Sequence, residues 1–564
     1  MNKVTIVTGL WDIGRSNLSN DWSRSMDHYL KKFDELLKTD INMIIFGDDT
    51  LQKFVMERRD NSNTQFILRS LDWFKNNDYY DLIQNIRTDE EWLGLAGWLR
   101  ESTQARLEYY NPLVMSKMFL LNDARIMDKF ESDYMFWLDA GITNTVHQGY
   151  FTHDKVLNKL DSFIDRFSFI SFPYEGANEI HGFKINELNR YANNNVNLVS
   201  RGGFFGGPKE KIEEINSIYY HLLIDTLSKS LMGTEESLFS IITYKHSDRV
   251  SYFEIDYNGL IGKFFEDLKN GTLVAKQKEF KVSVVKESPA QSRVEKDNVG
   301  LYVIGFNSPN QFKTLIDSML EYDEDFIKKP RKILLDNSTD FTTTPIYSEL
   351  CSNYGFEHIK KDNLGICGGR QWIAEHFEKS GMEYMYFFED DMFFYPVKGE
   401  VCRNGFNRYV PNLYEKSLSI VEKENFDFLK LNFSEFFGDN STQWSWYNVP
   451  QTVRDEFWPD NNKLPEMGTS DNAPKTKYDS VRIHIGVPYV TGEVYYCNWP
   501  QVVSKEGNRK MFLETTWARP YEQTWMSYMF QETKKGKLKG GLLLLTPTEH
   551  NRFDHYSREL RKES

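Results

Sequence analysis

The 564-residue chain predicts an α/β protein built as two mostly parallel-sheet, Rossmann-like domains in tandem. Three observations predict it. Short apolar runs alternate with amphipathic segments along the whole chain, the pattern of parallel strands with helices on both faces. Two of the runs, Tyr134–Leu138 and Tyr384–Phe388, are aromatic, lack polar alternation, and lead straight into carboxylates. Strands of that kind are buried on both faces, and their last residues fall at the sheet edge where ligands bind in open α/β folds. Finally, one order of parts occurs twice: a first strand, a strand ending in acid, an aromatic strand ending in acid, a glycine segment, and an acidic helix start.

In the first half, Val4–Thr8 reads as a strand, Trp11–Asn20 as a polar loop and Arg24–Leu37 as an amphipathic helix. Met43–Phe46 is a second strand ending in Gly47-Asp48-Asp49, and Gln65–Leu68 is a candidate third. Met115–Lys129 carries Lys117 and Arg125 on a helix, and Tyr134–Leu138 follows with Asp139-Ala140-Gly141 at its end. Arg201–Gly207 holds four glycines in seven residues, which suits either a close backbone approach to a ligand or a tight pair of turns. Thr234 is placed to cap a helix that opens with Glu235 and Glu236.

The first domain is expected over residues 1–275, a Lys/Glu/Gln-rich linker over 276–297 with room for one edge strand at Phe280–Val285, and the second domain over 298–564. There, Leu301–Phe306 is a strand, Phe312–Glu321 a helix, and Lys332–Leu335 a strand ending in Asp336-Asn337-Ser338. His358–Lys360 is a short strand. Asn363–Arg370 reads as a glycine-rich loop leading into the helix Gln371–Glu378. Ser441–Tyr478, long and without periodicity, is the expected lid. Tyr489–Cys497, Pro520–Phe530 and Gly541–Glu549 complete the domain.

Composition narrows the function classes. The net charge of −14 argues against a broad duplex-binding surface, though Lys534–Lys539 leaves a local basic path open. Cys351, Cys367, Cys402 and Cys497 form no CxxC pair, so a zinc centre or disulfide framework is not expected and a reducing compartment fits. No run reaches the roughly 18 apolar residues of a membrane span, and a cytoplasmic location is expected.

Glu389, Asp390 and Asp391 are three adjacent carboxylates, which raise one another's pKa unless something holds them together. Mn²⁺ or Mg²⁺ bound to a diphosphate would do so, because hard oxygens are their preferred ligands. A solvated acidic turn is the plainer alternative.

Taken together, the Asp336 turn, the glycine segment ending in Arg370, the Glu389-Asp390-Asp391 triplet, Thr491-Gly492-Glu493 and the Glu522 helix start resemble a nucleotide-sugar glycosyltransferase of the GT-A fold. The likeness covers about residues 298–555 and points to the large inverting family that includes polysaccharide synthases. In the first half, Val4–Thr8, Asp12–Arg15, Ser23-Arg24-Ser25, the Lys117 helix and Trp137–Gly141 resemble the HtrL/YibB-type bacterial proteins. Their metal motif is reduced here to the single carboxylate of Asp139.

The resemblance implies roles. In the second domain Asp391 would be the metal ligand, with Glu389 and Asp390 as further ligands or ribose contacts, and His550 as a late ligand with His555 in reserve. Asp336 would meet the nucleoside and Arg370 the diphosphate or ribose. Glu522 would be the general base, with Glu493 as the alternative. In the first domain Asp139 would face metal or phosphate, Lys117 and Arg15 the diphosphate, Gly203 the sugar pocket, and Glu235 or Glu236 would be the base. The expected activity is metal-dependent transfer from a nucleotide-sugar, UDP-sugars foremost, to a hydroxylated acceptor, with one active site per domain. Two other readings stay open: transfer to hydroxymethylated bases of phage DNA, and a C-terminal transferase served by a non-catalytic N-terminal acceptor- or partner-binding module.

Overall fold

The structure, a computed structural model, describes residues 3–18, 22–174, 176, 178–256, 259–278, 283–286, 298–396, 398–402, 405–433, 452–453, 477–514 and 522–550. Its contacts divide the chain into two units, Met1–Lys281 and Val282–Ser564.

In the first unit, β1 (Val4–Gly9), helix α1 (Met26–Leu37), β2 (Asn42–Gly47) and β3 (Thr64–Leu68) come in turn. The long helix α2 (Tyr110–Met127) feeds β4 (Tyr134–Leu138). Then come β5 (Phe167–Pro173), the small hairpin of β6 (Glu179–Ile180) and β7 (Phe183–Lys184), and β8 (Leu198–Pro208). Helices α3 (Lys209–Leu227) and α4 (Glu235–Lys245) precede β9 (Val250–Glu254). The sheet order is β3-β2-β1-β4-β8-β5-β9, with β8 antiparallel to both neighbours and every other pairing parallel.

Strand pleating explains why these runs are apolar without alternation. Val7, Ile44, Met135 and Trp137 enter one core, and Ile6, Met43, Ile45, Phe136 and Leu138 enter the other on the opposite face. Both faces are covered, so every position of the central strands must be apolar.

The second unit starts with β10 (Ser283–Lys286), which lies inside the stretch expected as linker and pairs in parallel with a later strand of this unit. Next are β11 (Val299–Gly305), α5 (Pro309–Tyr322), β12 (Arg331–Asp336), α6 (Thr344–Tyr354) and β13 (Phe356–Lys360). Helix α7 (Gly365–Lys379) feeds β14 (Tyr384–Glu389), followed by β15 (Met392–Phe394), α8 (Leu413–Glu424) and β16 (Phe428–Lys430). A hairpin of β17 (Tyr478–His484) and β18 (Val487–Gly492) precedes β19 (Gln501–Ser504). Helix α9 (Glu522–Lys534), β20 (Gly540–Leu543) and β21 (Thr548–His550) end the described chain.

The ten-stranded order is β10-β17-β18-β20-β16-β19-β14-β11-β12-β13. From β13 to β20 this repeats the first unit strand for strand. β14 pairs antiparallel with β19 as β4 does with β8, and β16 pairs in parallel with β20 as β5 does with β9. The chain is therefore two α/β units of one core topology. The second differs by the β17–β18 hairpin and β10, which extend its sheet beyond β20.

Three local expectations change. Asp48 does not end a strand at a site; its carboxylate accepts from Leu51 N–H at 2.9 Å and caps the next helix. The Asn363–Arg370 glycines are not a loop, because α7 begins at Gly365. Gly369 is needed where that helix presses on the sheet: a Cβ there would meet the Ile304 side chain. The four glycines that follow Arg201 form no turn pair but lie within β8, and Gly206 (φ +145°) and Gly207 face the backbones of Met135–Phe136 and Arg166–Phe167.

Candidate functional site

The first unit has a cleft of about 560 Å³ where the carboxyl ends of β1 and β4 meet. This is where the strand order reverses, with β2 and β3 on one side of β1 and β4 on the other, so the loops after β1 and β4 diverge and leave a crevice. Trp11, Asp12 and Arg15 come from the loop after β1, Asp139–Gly141 from the end of β4, Gly203 from β8, and Thr234–Glu236 from the start of α4. Helix α2 brings Lys117 underneath.

Lys117 ties the floor together. Its side chain is only 7% exposed. The ammonium lies 2.9 Å from Asp139 Oδ1 and donates to Glu235 Oε1 at 2.8 Å and to the Gly202 carbonyl at 3.1 Å. Its three N–H groups are thus all engaged inside the protein. Asp139 Oδ1 also accepts from the Trp137 indole at 2.7 Å, and the Asp139 N–H donates to the Gly203 carbonyl at 3.0 Å. Lys117, expected at a diphosphate, instead serves Asp139 and Glu235 from below. The reason is depth: α2 packs against the sheet and delivers the ammonium beneath the strand end.

Glu235 and Glu236 are sequence neighbours in unlike surroundings. Burial pushes the Glu235 carboxyl up to about 7 against the pull of Lys117, with Glu236 and Asp139 adding to the rise. Burial also works on Glu236, but Arg201, His181 and the Gly202 N–H outweigh it and hold it below the ordinary range. His181 Nδ1 lies 3.2 Å from Glu236 and Arg201 Nη1 3.6 Å. Burial, followed by the Glu235 charge, raises Tyr110, and Tyr219 is raised by the same pair of causes. Lys117 is held above its ordinary range, because Asp139 and Glu235 together outweigh its burial.

At the rim, Arg15 donates to the Tyr29 hydroxyl at 2.6 Å and to the Trp22 carbonyl at 2.9 Å, which aims the guanidinium across the cleft wall. Trp22 and Trp98 are 40% and 37% exposed, with ring centroids 6.4 Å apart. Neither tryptophan, nor Tyr29, Tyr110 or His181, is signalled by any spacing in the sequence. Gly203 does line the cleft: a Cβ there would meet the end of Ile261 at 2.9 Å, Asp139 Oδ2 at 3.8 Å and the end of Ile142 at 3.9 Å.

In the second unit the acid triplet separates. Asp390 turns inward, accepting from the Phe306 N–H at 3.0 Å and the Tyr347 hydroxyl at 3.1 Å. Burial, with Asp391 next to it, pushes its carboxyl up to about 8. Glu389 and Asp391 stay half-buried at the strand end. Antiparallel pairing of β15 with β21 sets His550 opposite Met392, beside Asp391 and far from it in sequence. The His550 side chain, His555 and most of the expected lid, save 452–453 and 477–478, lie outside the described residues. Among the described residues, no group of three or more His, Cys, Asp or Glu is arranged to hold a metal.

Asp336, expected at a nucleoside, is fully buried, accepting from the Ser338 N–H at 3.0 Å and lying 3.2 Å from His358 Nε2. Burial opposes its ionisation, but those partners hold the carboxyl below its ordinary range. Arg370 is not a surface cation. It is 1% exposed, stacked on the Phe387 ring at 3.6 Å and near Phe512 at 4.7 Å. It donates to the Tyr496 hydroxyl at 3.2 Å; that hydroxyl donates to Asn498 at 3.4 Å, and the Asn498 amide donates to Glu522 at 3.0 Å. Arg370 and Glu522, both picked from sequence, are therefore joined through two residues that were not. Glu493 follows the end of β18, where Gly492 (φ +115°) packs on the Lys477–Asp479 backbone. Gly492 is not the counterpart of Gly203, because β8 corresponds to β19 rather than to the inserted β18. Glu522 does correspond to Glu235: each opens the helix before the last strand of the shared core.

Residues 2–269 match the family described as bacterial protein of unknown function, HtrL_YibB. No curated protein matches the chain. Among solved structures it is similar to Staphylococcus aureus TarS 1–349 in complex with UDP-GlcNAc, at 12% identity and TM-score 0.28, over 45% of this chain and 58% of that one. It is also similar to GalNAc-T7 with UDP, GalNAc and Mn²⁺, at 11% identity and TM-score 0.29, over 47% of each chain. A third is core-mannan synthase A from Aspergillus fumigatus in its Mn/GDP form, at 9% identity and TM-score 0.28, over 45% of this chain and 73% of that one. The match thus spans about half the length of the first two.

Proposed function

We propose that the chain transfers a sugar from a nucleotide-sugar donor to a hydroxyl acceptor, with one active site in each unit. The observation that carries this reading is the first-unit cleft. At the switch point of the sheet it combines a carboxyl poised near neutrality, Glu235, with arginines and aromatic walls. The residue-level resemblance of the second half to nucleotide-sugar glycosyltransferases, and the core topology that the two halves share, support it further.

In the first unit Arg15 and Arg24 answer the charge of the donor diphosphate from the rim. Gly203 leaves space against the sugar. Glu235 accepts the acceptor hydroxyl's proton as that oxygen bonds to the anomeric carbon and the bond to the diphosphate oxygen breaks. A carboxyl near 7 is matched to that task at neutral pH, whereas Glu236, held ionised and paired, orients the Gly202 backbone.

In the second unit Glu522 takes the base role and inverts the anomeric centre, held by Asn498 and, through Tyr496, by Arg370. Glu389, Asp391 and His550 would hold Mn²⁺ or Mg²⁺; the β15–β21 register that brings His550 beside Asp391 supports this set. The ion, when bound, supplies charge neutralisation of the leaving diphosphate. Asp390, turned inward, positions the loop after β11 instead. Among the described residues no helix is long and apolar enough to cross a membrane, and no disulfide joins the cysteines. The cysteine pattern, without a CxxC pair, supports a reducing and hence cytoplasmic setting.

The test is nucleotide release from a panel of UDP-, GDP-, CMP- and TDP-sugars with Mn²⁺, with and without EDTA, for wild type, Glu235→Gln and Asp391→Ala. Release from one donor that falls in either variant supports the reading. Absence of both release and nucleotide-sugar binding across the panel overturns it in favour of a binding scaffold.

A further inference from the structure

We propose that the first unit's cleft works without a divalent cation, because the Lys117 ammonium already occupies the place between Asp139 and Glu235 where one would sit. This deepens the glycosyltransferase reading of that cleft and rests on it.

The donor set at the end of β4 does not fit a resident metal. A divalent ion of the Mg²⁺ or Mn²⁺ kind needs several oxygens turned toward one point, at about 2.0–2.2 Å for Mg²⁺. Here the oxygens that converge are Asp139 Oδ1, Glu235 Oε1 and the Gly202 carbonyl, and they converge on Nζ of Lys117 at 2.9, 2.8 and 3.1 Å. Those are ammonium distances. Asp139 Oδ1 is further committed to the Trp137 indole at 2.7 Å. A metal could take that point between Asp139 Oδ1 and Glu235 Oε1 only by expelling a cation that is covalently part of α2 and buried with it. The opposed carboxylates therefore have their counter-charge built in, and Lys117 acts as a positioning residue that fixes Asp139 and Glu235.

The second unit is arranged differently at the corresponding place. Its helix before the aromatic strand, α7, delivers Arg370, which goes to Phe387, Phe512 and Tyr496 rather than to the strand-end acids. One topology thus carries two arrangements within one chain: an ammonium fixed between the acids in the first unit, and in the second a guanidinium held among aromatic rings away from the strand-end acids.

The experiment is a Mn²⁺ titration followed by electron paramagnetic resonance on the full chain carrying Asp391→Ala, with and without Asp139→Asn and Lys117→Ala. Three results are expected. Asp391→Ala shows no Mn²⁺ binding that Asp139→Asn removes. Adding Lys117→Ala creates a Mn²⁺ site, tighter by at least about tenfold than background, and Asp139→Asn abolishes it. Nucleoside diphosphate binding to Asp391→Ala, from a UDP, GDP, CDP and TDP panel, is unchanged by EDTA. Asp139-dependent Mn²⁺ binding with Lys117 in place overturns the proposal, as does EDTA-sensitive nucleotide binding in that background. If Lys117→Ala does not fold, the Asp391→Ala arms still decide. Absence of any nucleotide binding counts against the transferase reading instead, since the Mn²⁺ arms need no nucleotide.

Discussion

Glu235 shows what burial does to a single side chain. With its carboxyl raised to about 7, the folded protein keeps a proton that the unfolded chain gives up from near 4.5. This group therefore makes stability fall as pH rises through that window. Melting temperatures measured from about pH 5 to about pH 8 should drop more steeply for wild type than for Glu235→Gln. The same group sets activity in the opposite sense, because a base must be deprotonated: first-unit turnover should rise through about pH 7. Glu235→Gln should lower it by roughly 10²–10⁴-fold while leaving donor affinity nearly intact. A flat pH profile in wild type would remove Glu235 from the role. Gly203 and Gly206 make a second contrast at this scale. A Cβ at Gly203 is crowded by nothing but the movable end of Ile261, with Asp139 and Ile142 at ordinary contact distance, so Gly203→Ala should fold normally and weaken donor binding. A Cβ at Gly206 meets the Met135 carbonyl, at a φ of +145°. Gly206→Ala should cost about 1–3 kcal/mol or more in urea unfolding.

At the scale of elements, helices α2 and α7 hold the same place in the two units but use their buried cations differently. Each precedes the aromatic strand and delivers one buried cation, Lys117 to the floor of the first-unit cleft and Arg370 to a site between Phe387, Phe512 and Tyr496. In the first unit the cation reaches the α4 carboxylate directly; in the second it reaches the α9 carboxylate through Tyr496 and Asn498. Breaking that relay should misplace Glu522 without unfolding α9. Asn498→Ala is expected to lower second-unit kcat by on the order of 10–10²-fold with little change in KM, since small displacements of a reacting group are costly. An equal rise in KM would show that Asn498 binds substrate instead.

At the scale of the whole molecule, each unit has its own pair of cores on the two faces of its own sheet. Two such units should melt as two transitions in calorimetry, and residues 1–281 and 282–564 expressed apart should each fold. A single transition in the full chain, with neither piece folding alone, would show that the two depend on each other.

Much of this was legible in the order of residues. The strands β1, β2, β4, β11, β12 and β14 announce themselves because a strand covered on both faces must be a short, unbroken apolar run. The acids at their ends follow the chain directly, so Asp139, Glu389 and Asp391 needed no tertiary information to be singled out. Other features were beyond the sequence. Strand β16 is three residues long, and its Lys430 is fully buried with the ammonium donating to the Tyr495 carbonyl, so no local pattern marks it. The glycines of Asn363–Arg370 look like a ligand loop but serve helix packing, because composition does not say what a missing Cβ makes room for. Which acids face outward was decided by partners distant in sequence: Phe306 and Tyr347 drew Asp390 inside, and Lys117 closed on Asp139 and Glu235. Sequence spacing fixes what lies next to a residue along one strand or helix. What faces it across a crevice is set only when the sheet brings separate strand ends to one edge, and that edge is where the chemistry sits.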